Sequence, residues 1–88
     1  MLNHTTRRMT AKQAAVLQAL SVAGVPLSAR EVGQRIGVSP HVAASRLWMM
    51  ELKRLVANTW DCERPGAHWL LTDAGAAELA DWTSREAE

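Results

Sequence analysis

The 88-residue sequence contains no phenylalanine and no tyrosine. Four tryptophans supply all of its aromatic surface, so each is a candidate anchor for a core or an interface. Cys62 is the only cysteine, which excludes an internal disulfide and leads to the expectation of a cytoplasmic setting. No apolar run approaches the roughly 18–20 residues that span a bilayer. Arg7 and Arg8 are followed by no apolar stretch of the signal-peptide kind. No glycine-rich phosphate loop follows a strand pattern, and no nucleophile, base and orienting group can be assembled. His4, His41, His68 and Cys62 are scattered without the spacing of a zinc site. The expectation is therefore a non-enzyme with no metal and no cofactor. Its length suits one hydrophobic core.

Acidic residues are also scarce, but only in the first part of the chain. Residues 1–60 hold eight Lys/Arg (Arg7, Arg8, Lys12, Arg30, Arg35, Arg46, Lys53, Arg54) against Glu31 and Glu51, a net +6. Residues 61–88 hold Arg64 and Arg85 against seven acids, a net −5. The overall +1 thus hides a chain that is electrically polar from end to end. Such asymmetry points to a polyanionic partner for the basic part.

The apolar pattern reads mainly as helix. Thr10-Ala11-Lys12-Gln13 is a capping box, Ala14, Leu17 and Leu20 follow at helical spacing, and Gly24 with Pro26 ends the helix. Ser28-Ala29-Arg30-Glu31 is a second capping box, with Leu27 and Val32 at the hydrophobic-staple positions and Gly37 as the stop. Ser39 then caps a third helix, with Pro40 in its first position. Ala43, Leu47 and Met50 form its inward stripe, and the pattern runs to about Arg54. Two helices joined by Gly37-Val38-Ser39 make a helix-turn-helix.

The next segment reads as a hairpin. A strand over Val56–Glu63, a turn at Arg64-Pro65-Gly66-Ala67 and a strand over His68–Leu71 are expected. If paired positions sum to an odd number, with Trp60 or Cys62 opposite Trp69, then Trp60, Cys62, Trp69 and Leu71 share the core face. Asp61, Glu63, His68 and Leu70 then share the outer face, and His68 is expected to be solvated. Cys62 is expected to be a small core residue. Thr72-Asp73 starts a last helix, on which Gly75, Leu79 and Trp82 recur at i, i+4 and i+7.

The order helix, helix, helix, hairpin, helix resembles the winged helix-turn-helix domains of bacterial and phage transcription regulators. The resemblance spans residues 10–82. It rests on Arg30-Glu31-Val32-Gly33-Gln34-Arg35-Ile36-Gly37-Val38-Ser39, on Leu55-Val56, and on Trp69-Leu70-Leu71-Thr72-Asp73-Ala74-Gly75. The last segment is similar to the aromatic-x-Leu-Thr-x-x-Gly start of the helix after the wing in MarR-like and PadR-like regulators. Two features depart from that pattern. Lys53-Arg54 stands where a glycine often precedes the Leu-Val pair, and the wing is short, with Arg64 as its one basic residue.

The resemblance implies a mainly α fold with a small hairpin. Residues 1–9 would be a flexible basic arm, 10–82 the winged helix-turn-helix domain and 83–88 a polar tail. It also implies sequence-specific binding of double-stranded DNA by a homodimer that acts as a repressor or other regulator. The third helix would enter the major groove. Its outward face offers His41 and Ser45 as polar groups, Val42 and Ala44 lie on its flanks as apolar ones, and Ser39 lies at its start. Arg7, Arg8, Arg30, Arg35, Arg46, Lys53, Arg54 and Arg64 are the candidate phosphate contacts. Trp48, Met49 and Leu52 make this helix apolar nearly all round, so they and Trp82 are candidate interface residues. They also supply the alternative reading, a winged-helix module that binds another protein. A small-molecule sensor is a third reading, with no room for a pocket outside a dimer interface.

Overall fold

The computed structural model describes residues 9–61 and 64–87. Four helices and one hairpin follow in the order α1 (Ala11–Ala23), α2 (Ala29–Ile36), α3 (Pro40–Leu52), β1 (Val56–Asp61), β2 (Arg64–Leu71) and α4 (Asp73–Ala87). Among the described residues no helix is long and apolar enough to cross a membrane.

Local chemistry sets the helix starts. Both capping boxes form. The Thr10 hydroxyl accepts the Gln13 N–H at 3.2 Å, and the Gln13 side chain accepts the Thr10 N–H at 3.1 Å. Ser28 and Glu31 make the same reciprocal pair at 3.1 and 2.9 Å. Ser39 caps α3 by accepting the Val42 N–H at 3.2 Å, with Pro40 at the first helical position. The Thr72 hydroxyl accepts the Gly75 N–H at 3.0 Å and so starts α4. Each of these contacts satisfies an N–H that the helix itself leaves unpaired. α3 ends at Leu52, two residues before the expected Arg54, and α4 runs on through residues 84–87.

The core gathers Val16, Leu17, Leu27, Val32, Leu47, Met50, Val56, Trp69 and Leu79 from all the helices and both strands. Met9, within the segment expected to be an arm, packs against its edge. Leu27 does more than staple α2. It pairs with Trp69 as an isolated antiparallel bridge, with N–H to carbonyl bonds of 2.9 and 2.8 Å in the two directions. The hairpin therefore has a third, one-residue edge that the sequence pattern did not disclose.

The hairpin keeps the expected parity but not the expected pairs. Asn58, rather than Trp60 or Cys62, lies opposite Trp69, and Val56 lies opposite Leu71. Cys62 and Glu63 lie outside the described residues. The expected turn is also misplaced. Arg64 already pairs with Asp61, so Arg64-Pro65-Gly66-Ala67 belongs to β2, and the register shifts between Trp60 and Asp61. Pro65 and Gly66 are the surplus residues of a bulge. Proline has no N–H to give a ladder, and Gly66 holds a φ of 100° that side-chain-bearing residues avoid. His68 is buried at 5% exposure, not solvated. Its ring turns back along its own strand, and Nδ1–H donates to the Gly66 carbonyl oxygen at 3.0 Å.

The absent glycine after α3 has a physical consequence. Arg54 itself takes the left-handed conformation, with φ 63°, the only side-chain-bearing residue described that does so. It is held there from both sides. Its N–H donates to the Glu51 carbonyl at 2.8 Å, and its own carbonyl accepts the Thr72 hydroxyl at 2.8 Å. Arg54→Gly should therefore raise stability by about 0.5–1 kcal/mol in denaturant melts, because a left-handed L-residue costs about 1–2 kcal/mol. Gly75→Ala should act in the opposite direction. A Cβ there would overlap the Leu55 carbonyl oxygen and crowd Leu71, so a loss of about 1–3 kcal/mol is expected in the same assay.

Candidate nucleic-acid interface

α2 and α3 are held close by a tight connection. The Gly33 carbonyl accepts the N–H groups of Gly37 and Val38 at 2.8 and 2.9 Å. A Cβ on Gly33 would sit 2.7 Å from the Val38 carbonyl oxygen, so only glycine lets the turn fold back this tightly. α3 buries Ala43, Leu47 and Met50 against the core. Stepping about 100° per residue, its opposite face carries His41, Val42, Ser45, Trp48, Met49 and Leu52. All six are exposed. Among the described residues, neither the hairpin nor α4 covers Trp48, Met49 or Leu52, which are 59%, 51% and 78% exposed.

The basic residues surround this face unevenly. Arg46 is half-buried on the flank of α3, and Lys53 and Arg54 are exposed just past its end. Arg30 is exposed in the first turn of α2. Arg35 is exposed in its last turn, but it lines an open depression of about 470 Å³ with Ala15, Gln18, Ala19, Val22 and Ile36, between α1 and α2. Ser39 is exposed, with its hydroxyl already engaged in capping. Arg64 is placed by its backbone at the start of β2. Arg7 and Arg8 lie outside the described residues.

The two acids of the first 60 residues are both turned to internal bonds. Glu31 closes the α2 capping box. Glu51 accepts the Trp69 indole N–H at 3.3 Å, which ties the last turn of α3 to the second strand. No sequence signal marked Glu51, because its partner is 18 positions away. The acids of α4 (Asp73, Glu78, Asp81 and Glu86) are exposed on a separate element, and Asp81 pairs with Arg85 at 3.0 Å. Trp82 is half-buried and packs against the core edge rather than standing free.

No protein-family model and no curated protein matches the sequence. Solved structures do. The PcaV transcriptional regulator from Streptomyces coelicolor, in complex with its natural ligand, superposes with a TM-score of 0.82 over 92% of the chain, at 29% identity. The chain is a winged helix-turn-helix domain of the MarR-like type. The YusO protein from Bacillus subtilis is similar at 27% identity and a TM-score of 0.79 over 90% of the chain. The S. aureus MepR–DNA complex has a TM-score of 0.77 over 86% of the chain, and at 19% identity it speaks for the fold alone. The MarR-like domain spans 57% of the PcaV and YusO chains and 55% of the MepR chain, less than two-thirds of each.

The Glu51–Trp69 bond predicts a measurable coupling. Glu51→Ala should cost about 1 kcal/mol in a denaturant melt, because it strands an indole N–H that is otherwise satisfied. In a Trp69→Phe background the same change should cost several tenths of a kcal/mol less, since no N–H remains to strand.

Proposed function

We propose that this domain binds double-stranded DNA as part of a transcription regulator, with α3 in the major groove. The observation that supports this most is the arrangement of charge around an uncovered helix. α3 leaves its outward face uncovered, with Arg46 on its flank and Lys53 and Arg54 just past its end, while both acids of the first 60 residues accept internal N–H bonds. A surface with Arg30, Lys53 and Arg54 exposed and its two carboxylates half-buried against internal N–H groups suits a polyanion. The likeness to PcaV and YusO supports a regulator role, and the MepR complex illustrates the same fold on DNA.

In this reading His41, Val42 and Ser45 meet base edges, and Ser39 and the basic side chains, with Arg7, Arg8 and Arg64 as outlying members, position the domain on phosphates. A homodimer on a two-fold related site follows from size. One domain of this length covers too little DNA for tight specific binding. Repression by occlusion of a promoter is the simplest outcome of such binding.

The exposure of Trp48, Met49 and Leu52 favours a second reading, in which the end of α3 docks on another protein. Salt separates the two. Affinity for mixed-sequence duplex should fall steeply between low and physiological salt, with a logarithmic slope of about −0.9 per phosphate neutralised. The variant Arg46→Ala with Arg54→Ala should reduce that slope by about 2 and shift the melt by no more than about 0.5 kcal/mol. Salt-insensitive or absent duplex binding would favour the protein-docking reading. Sedimentation of the free protein at high micromolar concentration should give about twice the 9.7 kDa chain mass, and a mass near 9.7 kDa would overturn the homodimer.

A further inference from the structure

The outward face of α3 is unusual for a helix that reads bases. Among its six exposed residues there is no arginine, lysine, asparagine or glutamine. Those are the side chains that make bidentate bonds to guanine or adenine edges. Ser45 both donates and accepts, so its hydroxyl discriminates little between base pairs. His41 offers at most one bond on each ring nitrogen. The remaining surface is apolar. Val42 and Met49 stand two turns apart on one stripe, 37% and 51% exposed, with Ser45 between them.

We infer that Val42 and Met49 read the C5-methyl groups of thymine in the major groove, so that the preferred site is rich in A·T pairs at the bases facing α3. This rests on the DNA reading above. The thymine methyl is the one apolar group that a base pair presents in that groove, and burying it against a valine or a thioether removes apolar surface from water on both sides. Discrimination also works by rejection. A guanine O6 or cytosine N4 facing Val42 or Met49 would lose its water and gain no partner. The flanking cations hold phosphates and contribute no sequence information, so the methyl contacts carry the preference.

The occupant is set by charge as well as by shape. A protein partner for an apolar helix face would have no use for Arg46, Lys53 and Arg54 beside it, whereas a duplex brings phosphates to both walls of the groove that the helix enters.

The test is a duplex selected from a random pool, compared with the same duplex made with deoxyuridine in place of thymidine. The two differ only by the C5-methyl. Affinity should fall about fourfold for each thymine methyl that is buried. Replacing guanine by 7-deazaguanine at the bases facing α3 should change affinity less than twofold. In the variant Val42→Ala with Met49→Ala, the thymidine-to-deoxyuridine ratio should drop to near one while salt-dependent binding persists. Both side chains are exposed, so a thermal melt should be unchanged. Equal affinity for the two duplexes, with steep salt dependence retained, would overturn the methyl reading and leave DNA binding standing. An undiminished ratio in the double variant would overturn the assignment to these two residues. Absence of salt-sensitive binding to any duplex would overturn both.

Discussion

Trp69 is the joint on which the hairpin, α2 and α3 all depend. Its backbone exchanges two bonds with Leu27 just before α2, its indole N–H reaches Glu51 in the last turn of α3, and its ring is buried in the core. One residue thus ties the segment before α2, the last turn of α3 and the hairpin to one another. An aromatic residue with a polar handle suits this position, since the ring needs burial and the N–H needs a partner inside. The consequence for the candidate site is orientation. α3 is held at its last turn by Glu51 and at its start by the tight turn around Gly33, so its outward face is presented by a rigid support rather than by a loop.

What was legible in the sequence was local. The capping boxes and the proline at the start of α3 act within three residues, and each formed as the spacing implied. The parity of the strand pairing was legible too, because an even register would put Trp60 and Trp69 on opposite faces of the hairpin. The features that were not legible depend on partners far along the chain. The Leu27 bridge needs a residue 42 positions away, and nothing near Leu27 marks it as a strand. The Pro65-Gly66 pair gives the same local signal in a turn and in a bulge, and only the pairing of Asp61 with Arg64 decides between them. Alternation alone places His68 toward solvent, because it takes no account of a ring that folds back onto its own strand.

Arg54 shows how a departure from a family pattern becomes structural. The chain has to reverse sharply between α3 and β1, and a glycine would do this without strain. Arg54 does it instead, braced by Glu51 and Thr72. The strain persists because the surrounding bonds over-determine the backbone, and the guanidinium is then projected from a fixed point at the end of the helix. Among the candidate phosphate contacts Arg54 is therefore the one whose backbone is most tightly set, in contrast to Arg30 and Lys53, which project from ordinary right-handed backbone.

The site itself was legible as charge before it was legible as geometry. A net +1 is uninformative, and a +6 segment joined to a −5 segment is not. The structure adds that the separation is sharper than the count. Glu31 and Glu51 belong to the basic segment by sequence, yet each carboxylate is spent on an internal N–H. The acids of α4 sit on another element, where Asp81 already has Arg85. Sequence could not reveal this, because whether a carboxylate faces solvent or a buried donor depends on the fold around it. For a helix whose outward face has so few hydrogen-bonding groups, that arrangement matters more than usual. On the proposed DNA reading, with little direct polar contact to bases, affinity would come from phosphates, and a carboxylate beside the groove would offset a cation. Glu31 and Glu51 keep their charge, but each side chain is drawn toward an internal N–H and away from the outward face of α3.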